Sequence, residues 1–550
     1  MTPNLSWIAS SLLALLLLSS DVSAEHHKPL RRSRSHLPGR RVGGQGHVKS
    51  IVGRKNHWGV HASVGVNLNP STTSSVVAAS ATSIASATSV APTVQPSSTS
   101  SAVVSASAAA TATTTSSSSA TAGPTDRAVY VHHMLGNTYP YTEDMWYDDI
   151  KLAKESGFDG FAANMGTDSW QVTQLASAYA AAEKYGSSFK IFISFDMSVF
   201  PCASASDAQA ILSLATTYAS HPNQATYDGK PIVSTFAGST CTFGDSDWTA
   251  GFTDQVKTPF KTSTGLDMFF LPSVFVDPAT LTGNDVLDGH LNWNGAWPTG
   301  NENITFVDDE AYVSALDDKV YMASVSPVFF THYGPNSWNK NWIYLSDGFL
   351  FAKRWEILVE KRDQVQLVEA LTWNDYGESS YLGPIQGAQP NSQSWVDGLN
   401  HTTLLEVNQY FAEAYRSGSY PDIEQDVIHL SARPHSNSAV ASADDCGRPT
   451  GGQNGPADGY QWTEDKFFAL VFASGAGSVT LTSGSLSSTH DVQAGINYLD
   501  ASLQSGSGMS ATMTRDGTVT ASVSPASYTF QGSQVKTYNW NYYFFSSSSS

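Results

Sequence analysis

Eight short runs of β-branched and aromatic residues recur along the middle of the chain. Between them, apolar side chains return at the 3.6-residue period of helices. The runs are Ala128–Val131, Gly160–Ala163, Phe189–Ile193, Pro231–Thr235, Met268–Leu271, His290–Trp293, Val320–Ala323 and Leu367–Leu371, spaced roughly 25 to 45 residues apart. After the first run, Trp146, Ile150 and Ala153 fall on one helical face and Gly157 offers a stop. After the second, Asp168 or Ser169 is placed to cap a helix whose face is Val172, Leu175 and Tyr179, ending at Gly186. Strands separated by helices pair in parallel. Eight such units, near the ~31 residues per unit of a ~250-residue barrel, predict an α/β fold with a (β/α)8 TIM barrel over residues 127–425. No Gly-rich phosphate loop follows the first run, which disfavours a dinucleotide-binding sheet.

The pattern changes past residue 426. Phe467–Phe472, Val479–Thr482, Met509–Met513 and Val519–Val523 read as strands punctuated by Gly, Ser and Asp, so 426–545 is expected to be an antiparallel β-sandwich accessory domain. The serine run 546–550 is expected to be disordered. At the other end, the apolar run Leu12–Leu18 and the small-residue pattern Val22-Ser23-Ala24 predict a signal peptide over 1–24, too short to span a bilayer. Residues 25–67 are basic, with Arg31-Arg32 and Arg40-Arg41 as candidate processing sites of a pro-segment; a plain basic arm is the alternative. Residues 68–126 are nearly all Ser, Thr, Ala and Val. Too few large apolar side chains stand there to offset the entropy of ordering, so an O-glycosylated, disordered linker is expected.

Composition narrows the partners. Lys and Arg total 29 against 48 Asp and Glu, a net charge of −19 that repels phosphate backbones and argues against nucleic acid. No other stretch approaches a membrane span, so a secreted, monomeric protein, extracellular or wall-associated, is expected. Fourteen Trp in a chain with only 14% charged residues suit a neutral, ring-shaped ligand. The three cysteines include Cys202 and Cys241, each a few residues past a predicted strand in neighbouring loops. These two are expected to form a disulfide, leaving Cys446 free or intermolecular. No His or Cys set has zinc-like spacing, and no metal or cofactor is expected. Asn303-Ile-Thr and Asn400-His-Thr are N-glycosylation sequons.

Barrel enzymes build their sites at the carboxyl ends of the strands. The residues there are His132, His133 and Asn137; Asn164; Asp196; Trp293 and Trp297; His332 and Tyr333; then Trp373-Asn374-Asp375-Tyr376-Gly377-Glu378. Amides and carboxylates grip hydroxyls, and flat rings stack on sugar faces. Glycosidic cleavage needs one protonated carboxyl to release the leaving oxygen and one ionised carboxyl to assist attack. Asp375 and Glu378 form such a pair, Gly377 permits a backbone shape that turns both inward, and Asp196 adds a third acid. Asp308, Asp309 and Glu310, by contrast, read as a solvated acidic turn.

Six segments carry a family resemblance. They are His133-Met134-Leu135-Gly136-Asn137-Thr138-Tyr139-Pro140, Phe158-Asp159-Gly160-Phe161-Ala162, Phe192-Ile193-Ser194-Phe195-Asp196-Met197, Ser326 through Gly334, Trp338-Asn339-Lys340-Asn341-Trp342, and Thr372 through Ser379. In this order they resemble glycoside hydrolase family 71, the fungal α-1,3-glucanases or mutanases, over about 127–435. The resemblance implies a polysaccharide substrate, α-1,3-glucan, cleaved by an endo-acting enzyme through a single inverting displacement. It also implies Asp375 as general base, Glu378 as general acid and Asp196 as an essential supporting carboxylate. His133, Asn137, Asn164, Trp293, Trp297, His332, Tyr333, Trp373, Asn374 and Tyr376 are the expected substrate-binding residues. A barrel glycosidase acting on another α-glucan and a non-catalytic wall-binding protein are the competing readings.

Overall fold

The computed structural model describes residues 127–335, 337–444 and 455–547, all within one compact unit. The expected signal peptide, basic arm, Ser/Thr linker and Cys446 lie outside the described residues.

The chain folds into a mixed α/β structure around a curled parallel sheet. Its strands are β1 (Val129–Met134), β2 (Gly160–Met165), β3 (Lys190–Asp196), β4 (Lys230–Phe236), β5 (Phe269–Phe270), β6 (Gly289–Asn292), β7 (Val320–Val325) and β8 (Leu367–Ala370). They pair in the order β5-β4-β3-β2-β1-β8-β7-β6, every pair parallel. Between the flanks of β5 and β6, Asp288 N donates to Phe270 O and Leu291 N to Pro272 O, both at 3.0 Å. Both faces of the sheet are buried, which explains near-continuous apolar runs rather than strict alternation. Tyr130, Ala162, Phe192, Ile232, Leu291, Met322 and Leu367 pack together on the inner side. Val131, Phe161, Ile193, Val233, Tyr321 and Val368 face the helices.

The first two helices are α1 (Glu143–Glu155) and α2 (Gln171–Tyr185). Helix α1 begins where the Thr142 side chain accepts from Met145 N, and it buries Trp146, Ile150 and Ala153 as the periodicity required. Helix α2 departs from expectation. Its N-cap position is Trp170 with no side-chain cap, and Asp168 instead accepts Gln171 N through its backbone carbonyl. Val172 is exposed, and the packed stripe runs through Leu175, Ala178, Tyr179 and Ala182. The N-cap lies one residue past Ser169 and two past Asp168, and Val172 stands at the edge of the stripe rather than within it.

The acidic triplet is exposed at Asp308 and Glu310 but not at Asp309. It forms the first turn of α4 (Val307–Leu316), which follows α3 (Ala208–Tyr218) among the longer helices. Asp309 is fully buried, gripped by both Nη atoms of Arg354 at 2.6 and 2.8 Å, while the Tyr321 hydroxyl also donates to it. Arg354 belongs to α5 (Leu350–Glu360), and its Nε donates to Ser324 O at the end of β7. The charge is placed where a bidentate partner and a hydroxyl satisfy it. A final helix, α6 (Leu404–Ser417), precedes the β-rich region.

From residue 427, two four-stranded antiparallel sheets form. One contains Val427–Ala432, Lys466–Ala473, Gly495–Ser502 and Tyr543–Ser546; the other contains Gly477–Ser483, Leu486–Val492, Ser510–Arg515 and Thr518–Val523. Ile428, Phe467 and Val471 of the first share a buried cluster with Leu481, Ala511 and Met513 of the second. The opposite side of the first sheet, through Leu470 and Phe472, joins the core beneath the helices. The serine run is corrected at its start: Ser546 pairs with His429 in the first sheet, and Ser547 N donates to Ile428 O. Residues 548–550 lie outside the described residues. Among the described residues no helix is long and apolar enough to cross a membrane.

Removing one partner of the Asp309–Arg354 pair leaves a buried charge without compensation. Asp309→Ala is expected to lower the unfolding free energy by about 3–5 kcal/mol, measured by urea denaturation. A change below about 1 kcal/mol would contradict the role given to this pair.

Candidate active site

The site stands over the carboxyl ends of the parallel strands, in a cleft with a cavity volume of about 560 Å³. Asp196, Asp375 and Glu378 all line it, with Asn137, Asn164, Trp293, Trp297 and Tyr333. Strand parity decides which neighbours join them. On β1, Tyr130 and His132 point inward, so His132 lines the cavity. His133 points the other way, into a pocket of Trp146 and Phe161 rings, with Nε2 3.3 Å from Asp149. Burial there lowers its pKa, because the charged imidazole is poorly solvated.

Four more expected ligand residues stand outside the cavity lining. Trp373 is fully buried against Phe158 and Phe161. The Asn374 side chain clamps the backbone of Met134, accepting from its N at 2.7 Å and donating to its O at 3.1 Å. The Tyr376 hydroxyl donates to Pro384 O and accepts from Gln386 N and Gly387 N. His332 engages Asn341 and Asp444 through its two ring nitrogens, each at 2.7 Å. These residues hold the loops in place.

The segment after β8 is tied down along its length. Trp373 N donates to His132 O, Asn137 Nδ2 donates to Asn374 O, and Asp375 N donates to Thr372 Oγ1. Asp375 Oδ1 then accepts from Glu378 N at 3.1 Å. Gly377 is needed for space rather than for backbone freedom: a Cβ there would lie 2.5 Å from the Tyr333 hydroxyl oxygen, and its φ is not among the positive ones. That hydroxyl is itself held by Pro390 O at 2.9 Å.

Beside this segment, and hydrogen-bonded to it through Phe330, the antiparallel strands Phe329–His332 and Asn341–Tyr344 form a wall. It presents Phe329, Tyr333, Trp338, Trp342 and Tyr344 to the cleft, together with Lys340. Trp297 stacks on Tyr344 at 5.5 Å, and Phe329 on Trp342 at 5.7 Å. Lys340 Nζ lies 3.9 Å from Glu378 Oε1. Of the missed residues, Lys340 stands between Trp338 and Trp342 in one of the six segments that carry the family resemblance. Phe236 and Phe275 also line the cleft; Phe236 directly follows one predicted strand and Phe275 comes shortly after another.

The acids are unequal. Burial raises the Glu378 carboxyl to about 7, the Asp375 charge adds to the rise, and Lys340 opposes it. Burial also raises Asp375, but the backbone N–H of Glu378 and the charges of Lys340 and His132 hold it back. Asp196 is raised by burial against two donors from Ser198, its N–H and its hydroxyl. Burial thus raises all three carboxyls, Glu378 to about 7, while hydrogen-bond donors oppose the rise at Asp375 and Asp196. Cys202 and Cys241 are joined by a disulfide between the loops after β3 and β4. Asn303 and Asn400 stand exposed on the surface. Among the described residues no group of three or more His, Cys, Asp or Glu is placed to hold a metal ion.

Unequal carboxyls in an aromatic-walled cleft define a glycoside hydrolase. The chain belongs to glycosyl hydrolase family 71, whose model matches residues 125–550. It is 40% identical over 401 residues to a glucan endo-1,3-alpha-glucosidase of Schizosaccharomyces pombe, covering 72% of this chain and 90% of that one. An ascus wall endo-1,3-alpha-glucanase of the same organism is 32% identical, covering 70% and 87%. A mutanase of Penicillium rubens is 33% identical, covering 65% and 75%.

Replacing either acid by its amide removes the proton chemistry while keeping the shape. Asp375→Asn and Glu378→Gln are each expected to reduce kcat by about 10²- to 10⁴-fold with an unchanged melting temperature. Near-native turnover in either variant would contradict the assignment. An acid must hold its proton, so activity should fall as pH rises through about 7, where Glu378 ionises. Lys340 favours the ionised form, so Lys340→Met should move this alkaline limb of the kcat profile to higher pH; a limb that stays or moves down would refute its influence.

Proposed function

We propose that this protein is an endo-acting α-1,3-glucanase that works by a single displacement with inversion. Glu378 gives its proton to the leaving oxygen, Asp375 deprotonates the attacking water, and Asp196 supports the pair. The observation that carries this reading is the raised Glu378 carboxyl beside a second acid, both part-buried, in a cleft lined by rings and by a single lysine among the described residues. Aromatic faces bind sugar rings without charge, and the named relatives act on α-1,3-linked glucan. The leader-like N-terminus and the wall-directed name of one relative support action outside the cell, on a wall polymer.

We also infer that the eight parallel strands close into a barrel. The two backbone hydrogen bonds between the flanks of β5 and β6 support closure, because they join the two end strands of the sheet to each other. The shared apolar cluster of the two C-terminal sheets supports a sandwich.

Insoluble α-1,3-glucan, starch, dextran and laminarin assayed side by side for reducing ends decide the substrate. Release from the first alone is expected. Release from starch or dextran instead would favour another α-glucan, and no release from any would favour a binding protein. Proton NMR in the first minutes should show the new reducing end as the β-anomer, and initial α-anomer would exclude inversion.

A further inference from the structure

The floor of the cleft holds a pair that the acid/base mechanism does not use. His132 on β1 and Glu369 on β8 meet at 2.6 Å through His132 Nδ1 and Glu369 Oε1, with both side chains only 1% exposed. The other ring nitrogen, His132 Nε2, is buried and has no hydrogen-bond partner among the described residues. A buried polar nitrogen without a partner loses its hydration and gains nothing in return, so it stands in such a place for a ligand or a water. Here it belongs to a residue that lines the cavity.

The surroundings select among ligands. The Trp293 ring meets the imidazole edge-on at 4.8 Å and also lines the cleft. The positive charge of His132, when present, depresses both Asp196 and Asp375, which places the imidazole within electrostatic reach of both acids. With Glu369 ionised, its Oε1 accepts from the Nδ1–H and so fixes the ring's orientation. Nε2 then accepts a hydrogen bond when the ring is neutral and donates one when it is protonated. A sugar hydroxyl can answer either state, because it is donor and acceptor at once.

We propose that His132, oriented by Glu369, is a substrate-contacting residue whose Nε2 binds a ring hydroxyl of the glucosyl unit at the cleavage point. This assignment rests on the functional reading above. Glu369 acts as a positioning residue through His132.

Two substitutions separate contact from packing. An asparagine amide can keep the bond to Glu369 but does not reach the Nε2 position, whereas a glutamine amide can reach it. His132→Asn is expected to lose about 10- to 100-fold in kcat/KM on a soluble α-1,3-gluco-oligosaccharide. His132→Gln should recover part of that loss, and calorimetric affinity in a Glu378→Gln background should follow the same order. Glu369→Gln should shift the pH profile of kcat/KM, a readout that a purely structural role leaves unmoved. Asn and Gln variants impaired equally, or an Asn variant like wild type, would overturn the assignment.

Should His132→Asn not fold, 15N-histidine NMR of the Glu378→Gln protein takes its place: the His132 Nε2 signal must shift on adding the oligosaccharide, and an unmoved signal refutes the contact. Wild-type protein inert toward α-1,3-glucan sinks the functional reading instead, while an active wild type with an unaffected Asn variant sinks only this assignment.

Discussion

Carboxyl groups drawn into a partly water-free cleft cannot all stay charged, and the site is organised around how that charge is distributed. Three acids face one lysine. Lys340 lowers the pKa of Asp196, Asp375 and Glu378 alike, but it compensates only part of the desolvation that raises each of them. The excess falls where fewest donors stand. Asp375 receives the Glu378 backbone N–H, and Asp196 receives two donors from Ser198. No comparable donor lowers Glu378, and the Asp375 charge raises it further. Local N–H and O–H groups thus oppose the rise at Asp375 and Asp196 and leave it unopposed by donors at Glu378.

Such a distribution survives only if the acids do not drift relative to their donors. The segment carrying them is clamped on both sides. Asn374 holds it to the end of β1, while Glu378 O accepts from Phe330 N and Ser379 Oγ donates to Phe330 O on the aromatic wall. The wall also carries Lys340. The acid and its counter-charge therefore ride on backbones joined to one another, and their separation is set by hydrogen bonds rather than by flexible side chains alone.

The repeating pattern made the parallel strands legible, because each needs about five apolar residues between two loops and little else produces that rhythm. The three acids were legible from residue type at strand ends. What escaped notice has a common physical cause: parity and partners. His132 and His133 look equal in a sequence, yet a strand sends successive side chains to opposite faces, and one register step decides between cleft and packing. Trp373, Asn374, Tyr376 and His332 stand beside the acids in sequence for the same reason that they stand behind them in space: they fasten the loop. Asp309 looked solvated because its partner, Arg354, lies 45 residues away. Leu486–Val492 and Gly495–Ser502 were missed as strands because most of their side chains remain partly exposed, leaving little apolar alternation to see.

The β-rich region belongs in the same physical account as the acids. Ile343 N donates to Asp458 O and Asp458 N donates to Asn341 O, so this region extends the aromatic wall by one more pairing. Phe330, Tyr333 and Ile343 of the wall share a buried cluster with Trp395, Val535, Tyr538 and Trp540. His332, mid-wall, reaches Asp444. A two-stranded hairpin alone is marginal in water, and this one must hold a charged lysine 3.9 Å from an acid while presenting flat rings to a polymer. The backing supplied by the later sheets gives it the burial that a hairpin lacks. The rings that line the cleft and the lysine beside Glu378 thus depend for their placement on a part of the chain that contributes no side chain to the lining of the cleft.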